Sequence, residues 1–583
     1  MSEALALYGT SSPVPEARLI RHGALSLVLQ DGALRHIRLG EVEMIRQIAF
    51  LARDRDWGTL VPQVSEARQT GTDDQLELQY QLSFSNGDAR LATQISLVLA
   101  PNRLQIHASG RVEGRFETNR AGFTLLHPIE GVAGAPARLT RSDGSVTAGA
   151  FPWRIAPWQP FMDIAALEHE ANGLRLHCAF AGDVFEMEDQ RQWGDASFKT
   201  YNRPLALPWP YHLEPGEALE QSITLSWEAA PARPAQAMRP PLPPGLRLPE
   251  LALVVTAEEA RHPLALPALE RVRPQRLLCH LDATSGPEIA AQALAFADLQ
   301  RHAPGAACDL ELICRFDRRQ SPDAELAAHA AAIRASGLIP ASVFVCAAAD
   351  RQSTPPGSAW PDCPPAAEIQ RATARHFGDL PRGGGMASFF PELNRKPEVA
   401  ADPDFAFITH GLCPIIHAAD DLSLFETLEA LPHIAASARA IAGQRGYRIG
   451  PSSIAMRQNP YGSRVMPNPG PGRVPMAGDD PRHRAAAGAA YAFGLITALL
   501  PFGISCWTPA ALLGPRGVMQ QEGDDWPLTR LLAELARLAG REVTRAEILN
   551  GMAWLEFGPV RLRANLRPQP QEGLAAFAWE RLG

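Results

Sequence analysis

The residues best equipped for chemistry lie in a few dense strips. Residues 185–201 read FEMEDQRQWGDASFKTY, which gathers Glu186, Glu188, Asp189, Arg191, Trp193, Asp195, Lys199 and Tyr201 into seventeen positions. In an extended chain Glu186 and Glu188 share one face. So many acids, bases and aromatic donors would either bind a polar ligand directly or form an ion-paired seam against a neighbouring domain. Lys199 draws particular notice, because 53 of the 55 basic residues are arginine and only Lys199 and Lys396 are lysine. Where arginine is the default, a retained lysine points to a need for a compact ammonium, here a ligand-binding or proton-donating group. RDRDWGT at 53–59 and Asn119-Arg120 are weaker strips of the same kind.

A second group lies further on. SFFPELNRK at 388–396 places Glu392, Asn394, Arg395 and Lys396 at the end of an apolar run. Read as a strand, alternation puts Glu392 and Asn394 on one face. Glu392 would be an acid or base, with Asn394 and Arg395 holding hydroxyls or an oxyanion; the plainer duty for Glu392 is an ion pair with an arginine of the next strand. Lys396, beyond Arg395 and before Pro397, suits a surface position equally well. PIIHAADDLS at 414–423 offers His417 as a proton shuttle and Asp420 as its carboxylate, whereas Asp421 or Ser423 suits a helix N-cap. A satisfied core histidine is an equal reading of His417. Arg457, Asn459 and Tyr461 suit a sugar-like ligand, and the Gly- and Pro-rich stretch 462–480 reads as a lid.

The elements that position these strips change character along the chain. Residues 1–228 alternate apolar and polar in short runs (25–30, 33–39, 76–84, 91–99, 104–109) with turns at Asp31-Gly32 and Asn86-Gly87, a pattern that predicts an antiparallel β-sandwich. Residues 229–249 are a Pro-rich linker. From 250 to 540, strand candidates at 251–256, 276–282, 309–315, 341–346, 386–393, 405–417, 447–454 and 503–508 alternate with helices at 287–302, 324–336, 366–377 and 422–442, which predicts a TIM-like (β/α)8 barrel. Gly383-Gly384-Gly385 reads as a turn before the fifth strand. Residues 541–583 return to strands, as a small C-terminal β-domain or a completion of the first domain. In such a barrel the strand C-termini face the active site, which is where Glu392 and His417 fall.

Composition prunes the function classes. A net charge of −8 argues against nucleic acid and anionic membranes as partners. Eight scattered cysteines without a CxxC read as reduced and buried. The N-terminus lacks signal-peptide character, and the apolar stretch 485–507 is interrupted by Pro501-Phe502-Gly503, so a buried helix followed by a strand is expected. These features suit a cytoplasmic protein. GxSxG, HExxH, Walker A and strand-following GxGxxG motifs are missing, and no metal site or cofactor is expected.

Taken together, RDRDWGT (53–59), NRAGFTLLHP (119–128), EMEDQRQWGDASFKTY (186–201), FPELNR (390–395) and IIHAADDLSLFETL (415–428) resemble the bacterial D-apionate lactonases of apiose catabolism over nearly the whole chain. The resemblance implies hydrolysis of D-apionolactone, a small sugar lactone, to D-apionate; it supplies no catalytic residue set. Gly194 and Trp507 are departures that would alter substrate preference. On the residues alone, Glu392 or Asp420 would activate water, His417 or Lys199 would protonate the leaving oxygen, and Arg395 would stabilise the oxyanion. Two alternatives stand beside it: a TIM-barrel glycoside hydrolase using Glu392 and Asp420 as its two carboxylates, and a non-catalytic carbohydrate-binding protein. The oligomeric state is open.

Overall fold

The computed structural model describes residues 2–232, 238–356, 358–462, 464–470 and 472–583. Part of the Pro-rich linker (233–237) and two positions of the 462–480 stretch (463 and 471) lie outside the described residues. The chain forms two units, one of residues 13–237 with 355–358, the other of 1–12, 238–354 and 359–583.

The first unit is an antiparallel sandwich. One sheet has seven strands, in the spatial order Arg18–His22, Leu25–Gln30, Ala33–Leu39, Val42–Arg53, Arg120–Pro128, Ser197–Asn202 and Phe185–Glu188. The other has ten, running from Val146–Ala150 at one edge to the 63–86 region at the other. Strict alternation drives the assembly: in Ala89–Ala100 every second residue is buried, so Leu91, Ile95, Leu97 and Leu99 enter a core shared with Phe50, Phe123, Phe185 and Phe198 of the first sheet. The Asp31-Gly32 and Asn86-Gly87 turns close their hairpins, with Gly32 and Gly87 at positive φ.

The second unit holds a closed barrel of eight parallel strands: Glu250–Thr256, Arg276–Asp282, Ala307–Cys314, Pro340–Ala347, Arg382–Phe389, Phe407–Gly411, Gly446–Ile449 and Cys506–Ala511. Helices between them include Ile289–His302, Pro322–Ser336, Ala366–Phe377, Leu431–Ala442 and Ala486–Leu499. Its N-terminal end is closed by an ionic knot: Arg276 donates to Asp309 (2.9 Å), Ser342 donates to the same carboxylate (2.5 Å), and Arg448 lies 3.2 Å from it. A four-stranded antiparallel sheet of its own (Arg545–Leu549, Met552–Phe557, Val560–Asn565, Trp579–Leu582) ends the chain. The N-terminal helix Glu3–Tyr8 also belongs to this unit; Tyr8 packs edge-on to Phe577 at 5.5 Å, and Phe577 stacks on Phe425 at 4.9 Å. Among the described residues no helix is long and apolar enough to cross a membrane, and Ala486–Leu499 is a buried fourteen-residue helix. All eight cysteines are free, seven of them buried.

The fifth strand differs from expectation in two ways. The glycines are its interior rather than a turn, because two phenylalanine rings pack flat against it. A Cβ on Gly383 would lie 2.2 Å from the Phe407 ring and one on Gly384 2.5 Å from Phe405, while Gly385 has φ +123°. The strand then stops at Phe389, and Phe390–Arg395 is a helix with Pro391 in its first turn and Glu392 accepting the Phe389 amide. Glu392 and Asn394 therefore do not share a strand face. Likewise, the sixth strand spans only Phe407–Gly411, the seventh ends at Ile449, and the helix expected at 422–442 is three pieces, Asp421–Glu426, Thr427–Glu429 and Leu431–Ala442, broken before Pro432.

Candidate active site at the barrel mouth

The C-terminal ends of the barrel strands carry a charged group, three of whose four members lie outside the dense polar strips of the sequence. The second strand ends in His280 and Asp282, the third presents Glu311, and Arg457 arrives from the segment after the seventh. His280 Nδ1 is 2.8 Å from Glu311 Oε1, and Arg457 donates to both Glu311 oxygens, at 3.2 Å to Oε2 and in a short contact to Oε1. Arg457 Nη2 also lies 2.7 Å from His280 Nδ1. Burial raises the Glu311 pKa, but Arg457 and then His280 outweigh it and hold the carboxyl at about 2. Nδ1 thus faces both an acceptor, ionised Glu311, and a donor, Arg457, while Nε2 lies 3.8 Å from Asp282 Oδ2. Burial and Arg457 together depress the His280 pKa, against the pull of Glu311 and Asp282, which keeps the imidazole neutral. Its side chain is 18% exposed.

Asp282 extends the group. It accepts from the Thr284 amide (2.7 Å) and hydroxyl (2.5 Å) and from Arg351 (2.8 Å). Burial pushes its pKa up, but these contacts prevail and lower it. Beside Arg457 opens a cavity of about 420 Å3, lined by Thr256, Glu258, His262, Ser453, Arg457 and Arg516 among others. That volume falls in the range of small-molecule sites. Glu259 also lines it, but both of its carboxylate oxygens accept backbone N–H groups, from Thr256 (2.7 Å) and Leu513 (3.0 Å).

Of the residues singled out by sequence, Arg457 lines this cavity. Asn459 holds its own loop, donating to Arg464 O and accepting from the Tyr461 amide. Glu392 is buried outside the cavity: Oε2 accepts the Phe389 amide at 3.1 Å, while Oε1 is buried without a hydrogen bond of its own. Burial lifts its pKa to about 7, with Arg395 and Ser353 only moderating the effect. Arg395 donates to Ser353 (2.9 Å), and Asn394 shares its short helix. Asp420, read as a site carboxylate, is instead the N-cap of Asp421–Glu426, accepting from Ser423 N at 2.9 Å; Asp421, the expected cap, pairs with Arg473 and Arg482. His417 is half-buried in the turn that precedes this cap. Lys396 is not a surface lysine: its Nζ donates to the buried Asp350 at 2.6 Å.

Within the sandwich unit the 185–201 strip is a hairpin of two strands joined by a 3-10 turn, Gln190–Trp193. Phe185, Met187 and Phe198 enter the sandwich core, so Glu186, Glu188, Lys199 and Tyr201 take the opposite face of their sheet. There Tyr201 donates to Glu186 (2.5 Å), Trp193 donates to Glu188 (2.8 Å), and Lys199 lies 2.7 Å from Glu188. Arg120 stacks on the Tyr201 ring at 4.0 Å. Burial lowers the Lys199 pKa, opposed by Glu188 and reinforced by Arg120 and Arg53. Asp189 and Arg191 form a wholly buried bidentate pair, and Asp195 follows the turn, partly buried.

The signal for the missed group is present in the sequence: 276–282 is a legible strand, and the strand-end rule applied there selects His280 and Asp282. Glu311 lies inside the third strand, three residues before its end, and its register partner on the second strand is His280.

A closed parallel barrel with an oriented histidine and a polar cavity at its strand C-termini has the layout of a barrel enzyme. Residues 251–540 match a family profile described as D-apionate lactonase, TIM barrel domain, and residues 5–230 match D-apionate lactonase, N-terminal domain. The D-apionate lactonase of Brucella anthropi is 41% identical over 559 residues, covering 92% of this chain and 90% of that protein. The chain belongs to the D-apionate lactonase family. This favours neither the glycoside hydrolase nor the non-catalytic binder. Among solved structures, a putative aldose 1-epimerase from Escherichia coli K12 covers 37% of this chain and 99% of its own at 15% identity, TM-score 0.26. A GH36 α-galactosidase from Geobacillus stearothermophilus covers 94% and 91% at 8% identity, TM-score 0.26.

Proposed function

We propose that this chain opens D-apionolactone to D-apionate at the barrel mouth, with His280 as general base. The observation that carries the assignment is His280 near the strand ends, held neutral by burial and Arg457, with Nδ1 2.8 Å from ionised Glu311; with the proton on Nδ1, Nε2 is the basic nitrogen. In this reading a water gives its proton to His280 Nε2 as its oxygen adds to the lactone carbonyl carbon. The tetrahedral oxyanion then collapses, the ring C–O bond breaks, and imidazolium returns the proton to the departing ring oxygen. Glu311 stabilises the transient imidazolium, and Arg457 fixes Glu311 while presenting its remaining N–H groups to the cavity. Hydroxyl-binding groups such as Thr256 and Ser453 line the same space.

A second reading keeps Glu392 as the acid–base group, because its pKa of about 7 suits proton transfer at neutral pH. Acid release from a panel of aldonolactones, followed in a pH-stat against the spontaneous rate, tests the function. Comparison of His280→Gln with Glu392→Gln decides between the two bases.

A further inference from the structure

Arg516 lies in the turn Gly514–Arg516, just after the last barrel strand. Neighbouring segments hold this turn: Gly514 N donates to Met519 O (3.0 Å), Gly517 N to Gly514 O (2.9 Å), and His483 Nε2 pairs with Gly517 O (2.9 Å). The guanidinium lines the 420 Å3 cavity next to Arg457. Its situation is unlike that of the other arginines of this region. Arg457 is locked to Glu311, Arg473 and Arg482 to Asp421, and Arg484 to Asp479. Arg516, among the described residues, has no hydrogen bond and no carboxylate within ion-pair distance. Glu259, the carboxylate acting on it, has both oxygens occupied by backbone amides. Burial and the like charge of Arg457 both weigh against its cation, and Glu259 only partly offsets them. A half-buried cation with unspent donors, aimed into a cavity, gains most from an anionic guest, and a guanidinium fork matches a carboxylate in two-point geometry.

We propose that Arg516 is the carboxylate-recognition residue of this cavity, binding the developing oxyanion of a sugar lactone and then the carboxylate of the aldonic acid product. The assignment rests on the lactonase reading above and deepens it. Lactone carbonyl oxygen becomes tetrahedral oxyanion and then one oxygen of the product carboxylate, so one fixed donor serves all three, binding the charged forms more tightly than the neutral one. The enzyme is then inhibited by its product.

Calorimetric titration with D-apionate, alongside lactone turnover, tests this on the full chain. Wild-type protein is expected to bind D-apionate and to bind the matching alditol, which lacks the carboxylate, much more weakly. Arg516→Met is expected to lose D-apionate affinity at least about ten-fold and kcat/KM about 100-fold, with alditol binding unchanged. Arg516→Lys, which keeps the charge without the fork, should fall between and serves in place of the Met variant should that one not fold. Equal D-apionate affinity in wild type and variant, or wild-type protein that turns over lactone without measurable D-apionate binding, overturns the proposal. Wild-type protein that binds D-apionate through Arg516 yet hydrolyses no aldonolactone overturns the lactonase reading instead.

Discussion

His280 Nδ1 and Glu311 Oε1 stand 2.8 Å apart, and in the proposed mechanism this contact carries the ring proton and leaves Nε2 as the base. The active form in our mechanism is neutral His280, so kcat/KM falls as pH drops through its pKa, which burial and Arg457 place below the ordinary 6.5. Glu311 pulls that pKa upward. Glu311→Gln is therefore expected to shift the acid limb of the pH–rate profile to lower pH while lowering the plateau about 100-fold, since the imidazolium loses its counter-charge. An acid limb that stays in place, or moves up, removes the dyad from the mechanism.

Glu392 yields an independent stability signature. Its folded pKa of about 7 is raised above the ordinary 4.5, so its contribution is fully present below pH 4.5 and is lost as pH rises through 7. At pH 8 this costs about 3 kcal/mol. Glu392→Gln keeps the shape, removes the titration and is expected to flatten urea stability between pH 5 and 8. If His280 is the base, turnover stays within about three-fold; abolished turnover in folded protein restores Glu392 as the acid–base group.

The sandwich core contains an acid-sensitive pair. His127 and His169 are wholly buried with ring centroids 5.2 Å apart, and both His169 nitrogens lack a hydrogen bond. Burial holds the His169 pKa at about 4 against an ordinary 6.5. A depressed histidine pKa means the unfolded chain binds the extra proton, so stability falls as pH drops below 6.5 and levels off near 4, by about 3 kcal/mol for this residue. His169→Leu should flatten that slope in chemical denaturation between pH 4 and 7. An unchanged slope would place the acid sensitivity elsewhere.

Lys199 is separable into a structural and a chemical role. It is 7% exposed and lies 2.7 Å from Glu188. Lys199→Met strands a nearly buried carboxylate and is expected to cost about 3 kcal/mol in urea unfolding. The double variant Lys199→Met/Glu188→Gln should recover much of this, because the neutral amide introduced by the second substitution keeps an oxygen to accept from Trp193. Restored stability with restored turnover makes Lys199 a structural partner; restored stability without turnover returns it to the reaction.

The strands of both units are legible because their signal is local: apolar alternation in 25–39 and 76–99, short apolar runs in 276–282 and 307–314. The fifth barrel strand is not, because the reason for its glycines is far away in sequence, in the Phe405 and Phe407 rings that occupy the space of their side chains. The helix at 390–395 is hidden by its apolar neighbours, although Pro391 and Glu392 in its first turn announce it. At the site, Asp420 and Asp421 are adjacent aspartates whose duties, cap and ion pair, only the fold separates. His280 and Asp282 are within reach of the strand-end rule, whereas Glu311, inside its strand, is reached only through its pairing with His280. Arg516 is not, since what distinguishes it is the lack of a partner among the described residues, which is a property of the whole neighbourhood.

The seam between the first helix and the last sheet has a consequence for synthesis. Tyr8 rests on Phe577, and Arg473 reaches back both to the Tyr8 ring (5.1 Å) and to Ser12 O (3.1 Å). Tyr8 is thus synthesised long before the Phe577 ring it packs against. The sandwich can mature while translation proceeds, but this corner of the barrel unit stays unsealed until Phe577 has been made, leaving Tyr8 and its apolar neighbours to chaperones in the interval.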